Sequence, residues 1–599
     1  MLIFDIEADG LLEDCTKMHS LVIKNDTTGL VLSCCDQSQY HPIKEGLELL
    51  SEADTIAGHN ILAYDIPVIK KLYPSWTCKA KKVDTLILSR LIHTNLNQDD
   101  IEGCTHFKPE TKIPPKLYGR HSLKAWGYRL NQHKDEYDQW ESWTPDMQIY
   151  CERDVEVTAA LANYFKSRDY SETAIELEHD FAEIMIKQEI NGVPFNTEEA
   201  EKLYSELFTE LEQLRKTIAT TVPPTIKEEV FTPKRDNKTI GYVKGVPFTK
   251  KKVMPFNANS RKQVFKFLNT KYNWTPDKKT LKGNPSLDAE VMEDIADVFP
   301  EAKLFQKYFT ISLLMPKIKT GKQAWLKNVG KDGRIHGYVN TNGAVTGRCT
   351  HSRPNLSQVP SARKYKGKEC RSLFHAPHGM AMVGCDASGL ELRCLAHFLT
   401  PHDDGKYTKI LLEKDVHTTN MQAAGLDDRD VAKRFIYAFL YGAGNAKLGS
   451  LVYPKLCEAE RAKCGSELRS SFSSKTDGIQ DLLKELHKES RSKTIKGLDG
   501  RELHVRSTHK ALNTLLQSAG GLIMKKATVI YTKELKKQGY DILQALNVHD
   551  ENQVFCYYED SEAVGSIMKQ SIISAGEFFN FRCPLDGTYN IGENWYETH

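Results

Sequence analysis

Val383-Gly-Cys-Asp386-Ala-Ser-Gly-Leu-Glu391-Leu-Arg393 passes from an apolar run through three small residues into a leucine-spaced stretch. It reads as a strand ending at Asp386, a tight turn and the start of a helix. Ala387, Ser388 and Gly389 let the backbone approach a ligand closely. Far downstream, Leu546-Asn-Val-His549-Asp550-Glu551-Asn-Gln-Val-Phe555 reads as a hairpin with His-Asp-Glu at its turn. Asp550 is then a second carboxylate, and two acids from distant chain positions can clamp two Mg²⁺ ions roughly 3.5–4 Å apart. Mg²⁺ suits such a site because it takes a few carboxylates and fills its shell with substrate phosphates.

Between these two stretches lies Arg429-Asp-Val-Ala-Lys433-Arg-Phe-Ile-Tyr437-Ala-Phe-Leu-Tyr441-Gly442. Its cations and tyrosines recur every four residues. Each step drifts only about 40° around a helix, so neighbouring members share a stripe. Cations suit a triphosphate, and aromatics suit a sugar and a base pair. Phe435, Ile436, Phe439 and Leu440 supply apolar surface on the other face, so the tyrosines are not needed for the core.

A second acidic set opens the chain. Asp5-Ile-Glu7 sits on an apolar run, and on a strand the two acids share one face. Paired carboxylates framed by apolar neighbours repel each other unless a cation lies between them. Asn60-Ile-Leu-Ala-Tyr-Asp65 adds a carboxylate at the start of an apolar stretch, and Tyr150-Cys-Glu-Arg-Asp154 places a tyrosine and an acid one helical turn apart. A lone D-x-E occurs by chance in many chains, whereas this ordered set does not. Asp5, Glu7, Asp65 and Asp154 with Tyr150 could hold two divalent ions that activate water against a phosphodiester.

The N-terminal set resembles the exonuclease motifs of the DnaQ-like (RNase H-like) proofreading superfamily. That resemblance implies metal ligation by Asp5, Glu7, Asp65 and Asp154, with Tyr150 orienting the attacking water. The D-A-S-G-L-E-L-R, R-x-x-x-K-x-x-x-Y-x-x-x-Y-G and V-H-D-E stretches resemble motifs A, B and C of family A DNA polymerases. Gly343-Ala-Val-Thr-Gly-Arg348, Pro354-Asn-Leu-Ser-Gln-Val-Pro360, Lys496-Gly-Leu-Asp-Gly-Arg501 and Leu512-Asn-Thr-Leu-Leu-Gln-Ser-Ala-Gly520 narrow the likeness to the replicative phage members, in the same order over nearly the whole chain.

The resemblance implies a DNA-dependent DNA polymerase with a 3′→5′ proofreading exonuclease, replicating phage DNA by two-metal-ion nucleotidyl transfer. Asp386, the Ala387 carbonyl and Asp550 would bind the metals, and Glu551 would lie beside the primer end. Arg429, Lys433 and His417 would hold the triphosphate. Tyr437 would pair with Glu391 to crowd the sugar 2′ position, and Tyr441 would stack near the templating base. Arg348, Gln517 and His549 would touch the minor groove, where acceptors recur on every correct pair. Two Mg²⁺ per site, replaceable by Mn²⁺, are the implied cofactors. A single-subunit RNA polymerase of the same right-hand fold is the alternative, against which Glu391 and the N-terminal acids argue.

Bulk properties fit this reading. At 599 residues the chain exceeds one core, and a prior of roughly 150 residues per domain suggests about four. A net charge of +2 excludes a uniformly basic DNA-coating protein, so any nucleic-acid surface is local. The 14 cysteines are scattered with no C-x-x-C pair, which excludes a zinc or disulfide scaffold and fits a reducing host cytoplasm. The start lacks a signal peptide's basic flank and long apolar run. The fold expected is multidomain α/β: exonuclease over 1–165, connector and thumb over 166–335, palm over 336–398 and 513–599, and fingers over 399–512.

Residues 172–220 read as helix from Ile175, Leu177, Phe181, Ile184, Met185 and Ile186, and helical patterns return over 260–330. Residues 222–255 read as a basic, extended insertion, with eight basic against three acidic residues. Its Lys250, Lys251 and Lys252 are expected to touch duplex phosphates. Long thumb insertions in phage relatives recruit host thioredoxin, and the shortness of this one argues against that partner. Primer–template DNA and dNTPs are the expected partners, with a phage helicase-primase and a single-stranded DNA-binding protein.

Overall fold

The computed structural model describes residues 1–103, 113–133, 137–276, 280, 283–454 and 456–599. Part of the helical stretch expected over 260–330, namely 277–279 and 281–282, lies outside the described residues.

The chain begins with a five-stranded mixed sheet: β1 (Leu2–Ala8), β2 (Met18–Asn25), β3 (Val31–Cys35), β4 (Thr55–Gly58) and β5 (Lys81–Asp84), in the order β3-β2-β1-β4-β5. β1 runs antiparallel to β2 and parallel to β4. Its two faces are both covered, as a central strand's must be. Phe4 and Ile6 pack towards helix α1 (Asp65–Leu72), in a cluster with Ile66 and Ile69. Ile3 packs on the other side against helix α2 (Pro145–Lys166), through Cys151, Val155 and Ala159. Strand alternation therefore sends Asp5 and Glu7 towards α2.

The helix expected over 172–220 is two helices, α3 (Glu172–Asn191) and α4 (Thr197–Thr221). Gly192 breaks it at φ +60°, where a side chain would meet the His336 ring, and the Asn196 side chain caps the new helix by accepting the Glu199 amide. The periodicity of the sequence ran through this break because both helices present apolar faces. Leu203, Leu207 and Leu211 of α4 join Phe305, Tyr308 and Phe309 in one buried cluster. The basic, extended insertion folds back on itself as an antiparallel hairpin of β6 (Thr225–Phe231) and β7 (Phe248–Met254).

Helix α5 (Pro300–Met315) supplies the phenylalanines of that cluster. The second large sheet comprises β8 (Met380–Ala387), β9 (Leu543–Val548), β10 (Glu551–Tyr557) and β11 (Gly587–Gly592), antiparallel in the order β9-β10-β8-β11. Between β8 and β9 the chain builds a helical body that includes α6 (Leu390–Asp403), α7 (Val416–Ala424) and α8 (Arg429–Leu440). It then returns through the long α9 (Ala511–Gln538), and α10 (Ser561–Phe578) follows β10. One hydrophobic core joins the sheet (Val383, Val554), α8 (Phe435, Phe439), α9 (Leu515, Leu522) and α10 (Val564, Met568). Among the described residues no helix is long and apolar enough to cross a membrane.

Candidate active sites

β8 and β10 are neighbours, with Asp386 opposite Glu551 and the Ala387 amide donating to the Asp550 carbonyl at 3.1 Å. His549 makes the turn before Asp550 at φ +58°, the left-handed region that a tight hairpin demands. The two acids, 164 positions apart in the sequence, are thus set side by side by the sheet register. Burial, then the charges of Asp550 and Glu551, push the Asp386 carboxyl up to about 7. Burial and then Glu391 raise Asp550. Carboxylates that resist ionisation together form an oxygen-ligand cradle that a divalent cation fits, since its charge relieves both burial and repulsion.

Glu551 differs. Its Oε1 accepts from Trp595 Nε1 at 2.5 Å and Gln553 Nε2 at 2.6 Å, and its Oε2 faces His599 Nδ1 at 3.1 Å and Arg371 Nη1 at 3.5 Å. Burial alone would raise its carboxyl, but these partners outweigh it and hold it low. Both oxygens are engaged by protein, so Glu551 braces the hairpin from within. Arg371, Trp595 and His599 carry no local sequence signal of this task.

On α8 the apolar residues Phe435, Ile436, Phe439 and Leu440 are buried, leaving Arg429, Lys433 and Tyr437 on the open side. Arg429 makes a fork to Asp415, with Nε to Oδ2 at 2.7 Å and Nη2 to Oδ1 at 3.1 Å. Asp415 also caps α7 by accepting the His417 amide at 3.1 Å. His417 lies in the same cationic corner: burial, then Lys433 and Arg429, lower its imidazole. Glu391 opens α6 just beyond the β8 turn. Tyr441, rather than the expected Tyr437, donates its hydroxyl to Glu391, at 3.2 Å. The Tyr437 and Tyr441 rings lie 6.4 Å apart, and Tyr437 keeps only the through-space influence of Glu391.

Arg348 and Gln517 meet through Arg348 Nε and the Gln517 carbonyl at 3.0 Å. Arg348 and His549 line one cavity. The three minor-groove candidates therefore converge beside the acids. The lysine triplet is split between the two faces of the hairpin. Strand alternation turns Lys251 to the opposite face from Lys250 and Lys252. Lys251 pairs with Glu228 at 3.1 Å, while the Lys250 ammonium lies 3.6 Å over the Phe231 ring.

In the N-terminal sheet, ligand atoms of Asp5, Glu7 and Cys151 lie within 4.8 Å of one another. Asp65 begins α1 and accepts the Ile6 amide at 3.2 Å, which ties it to β1 between the two acids. Asp154 is buried three residues after Cys151 on α2. Burial raises the Asp65 carboxyl, and Asp84 and Asp154 add to the shift. This second cluster again fits hard divalent cations. Burial, then Asp5 and Glu7, keep Cys151 a thiol, whose Sγ approaches the Asp5 carbonyl at 3.5 Å. In the metal-free site the Cys151 thiol is therefore a donor that steadies Asp5. Tyr150 is half-buried against Tyr137 and Trp140, ring centroids 5.7 Å away in each case.

The family model described as DNA polymerase family A matches residues 246–597, more than half of the chain. A DNA-directed DNA polymerase of Enterobacteria phage T3 is 36% identical, and one of Escherichia phage T7 is 35% identical, each over 100% of this chain and 100% of the relative. Both alignments run longer than this chain, so the relatives carry segments it lacks. The polymerase domain of Pol1 from M. smegmatis, solved with DNA primer-template and dNTP, shares the fold at TM-score 0.72 and 18% identity, covering 99% of this chain and 96% of that one. The chain belongs to DNA polymerase family A. Its full-length relatives are DNA polymerases, which sets aside the RNA polymerase alternative.

Proposed function

We propose that this protein, a DNA-directed DNA polymerase of phage type, extends a primer at the Asp386–Asp550 site and trims its own errors at a second site around Asp5 and Glu7. The fold implies a divalent-metal requirement. We assign it to two Mg²⁺ ions per site, held by Asp386, the Ala387 carbonyl and Asp550 in one, and by Asp5, Glu7, Asp65 and Asp154 in the other. When bound, such ions lower the pKa of a hydroxyl or water and neutralise charge on the leaving oxygen.

The chain's own groups do the rest. Arg429, Lys433 and His417 offer cations to the triphosphate and to charge departing with pyrophosphate. Arg348, Gln517 and His549 offer donors to the minor groove of a primer–template duplex, testing pair geometry without reading sequence. Glu391 and Tyr437 bound the sugar pocket. Closure of α8 over a correct pair would assemble the site, an induced-fit step.

The exonuclease, placed in residues 1–165, is supported chiefly by one observation: two acids on one strand face, a third bonded between them and a fourth on the covering helix. The test is degradation of single-stranded DNA from its 3′ end. Asp5→Ala with Glu7→Ala should abolish it, and retained degradation by that variant would refute the assignment.

A further inference from the structure

Helix α3 links the two bodies, and its neighbouring residues Glu178 and His179 each bind a residue that supports a different site. Glu178 is buried in the polymerase core. Its Oε1 meets Lys525 Nζ at 2.5 Å and Arg501 Nη2 at 2.7 Å, and Arg501 is forked to Asp499. The four charges cancel, as a buried cluster requires. Lys525 uses its other donors on two carbonyls, Thr341 at 2.7 Å and Gly347 at 2.8 Å. Those carbonyls lie at the two ends of the turn that delivers Arg348. Gly347 sits at φ +74°, and a Cβ there would lie 2.8 Å from Arg501 Nη1. The ion cluster thus sets the shape of the turn, and Arg348 follows from it, held by the Gln517 carbonyl.

His179, about 100° further round the helix, faces the nuclease body. Its Nδ1 lies 2.8 Å from the Ile175 carbonyl, so Nε2 carries the lone pair and accepts the Asp84 amide at 2.9 Å. The buried Asp84 carboxylate accepts the amides of Asn60 at 2.9 Å, Leu62 at 3.1 Å and Leu86 at 2.9 Å. Asn60 and Leu62 belong to the loop that ends at Asp65. His179 holds Asp84, and Asp84 shapes the loop that presents Asp65.

We infer that Glu178 and His179 are positioning residues for two separate reactions: Glu178, through Lys525, aims Arg348 at the primer–template minor groove, and His179, through Asp84, sets Asp65 in the nuclease metal site. The His179 half rests on the exonuclease reading proposed above, and the Glu178 half on the minor-groove role proposed there for Arg348.

The test uses full-length variants with two readouts. One is the ratio of kcat/KM for extending matched over 3′-mismatched primers, measured in the Asp5→Ala/Glu7→Ala background. The other is kcat on single-stranded DNA, measured with Asp5 and Glu7 intact. Glu178→Gln with Lys525→Met keeps the cluster neutral and should lower the matched-to-mismatched ratio about tenfold, as expected for loss of an aimed base-edge contact, while single-strand degradation stays within about twofold. His179→Ala should slow single-strand degradation by about 10²-fold, the cost of misplacing a reacting group by about 1 Å, with discrimination unchanged. His179→Gln, which can still accept the Asp84 amide, should restore it.

Should the double variant fail to fold, Gly347→Ala strains the same turn and presses on Arg501 while leaving every charge of the cluster in place, and should lower discrimination alone. Equal loss of both activities in either variant, or no change in either readout, overturns the inference. Degradation persisting in Asp5→Ala/Glu7→Ala would instead remove the nuclease reading and leave the Glu178 half to be judged on discrimination.

Discussion

Asp386 stands opposite Glu551 in the β8–β10 ladder, and this register gives the two acids different tasks. Glu551 is wrapped by Gln553, Trp595, Arg371 and His599 and held ionised as part of the scaffold. Asp386 instead shares its space with Asp550 and resists losing its proton. A carboxylate already satisfied by protein has little left to offer a cation, whereas a pair in mutual repulsion gains most from one.

The first consequence is a pH effect on the metal-free protein. Burial, with Asp550 and Glu551, raises the Asp386 carboxyl to about 7, against about 3.9 in an unfolded chain. The folded state then holds a proton that the unfolded chain releases. This contribution to stability is complete below about pH 4 and is lost as pH rises through about 7. Asp386→Asn cannot ionise and lacks this loss. In the presence of a chelator, the melting temperature of Asp386→Asn relative to the unsubstituted protein should climb from about pH 5 to about pH 7.5. A constant difference would show that Asp386 does not share the burial and repulsion described.

The Glu391 carboxylate at the start of α6 receives the Tyr441 hydroxyl. Glu391→Ala should relax exclusion of ribonucleotides, with the dNTP-to-NTP ratio of kcat/KM falling by about 10-fold or more, the range for loss of a steric and polar pocket contact. Tyr441→Phe removes only the hydroxyl and should leave that ratio nearer its starting value. Competition assays with both nucleotides check the pair.

Strand alternation in the β6–β7 hairpin separates Lys250 and Lys252 from Lys251. If the face bearing Lys250 and Lys252 meets duplex DNA, replacing both by Ala should reduce the slope of log K against log salt by about 1 per lysine. Lys251→Ala, which frees only Glu228 on the other face, should leave the slope unchanged. Fluorescence anisotropy over a salt series measures both. Added thioredoxin should not lengthen products, since the hairpin is short.

Much of this was legible in the sequence because local patterns carried it. Asp386 ends an apolar run before three small residues, and His549-Asp550-Glu551 interrupts another, so both acids fell at strand ends. The α8 stripe was legible because helical spacing separates its cations from Phe435 and Phe439. What was hidden depends on distant partners. Glu178 and Lys525 are 347 positions apart, and nothing near either residue announces the other. Cys151 lay beside Tyr150 in a recognised motif, yet only the packing of α2 on β1 turns it towards Asp5. The break at Gly192 was missed because hydrophobic spacing resumes beyond it, and the Tyr441–Glu391 bond because equal four-residue spacing does not say which tyrosine reaches across to α6.

In the function proposed above, two acidic clusters on one chain perform opposite chemistry on the same primer. Extension of a primer with a mismatched 3′ end, followed on a gel with dNTPs and Mg²⁺, tests it most directly. The unsubstituted protein should trim and then extend. Asp386→Asn should trim without extending, with synthesis reduced by at least on the order of 10²-fold, and Asp5→Ala with Glu7→Ala should stall at the mismatch yet extend a matched primer. Loss of trimming in Asp386→Asn, or persistent trimming in the Asp5/Glu7 variant, would contradict the division of labour.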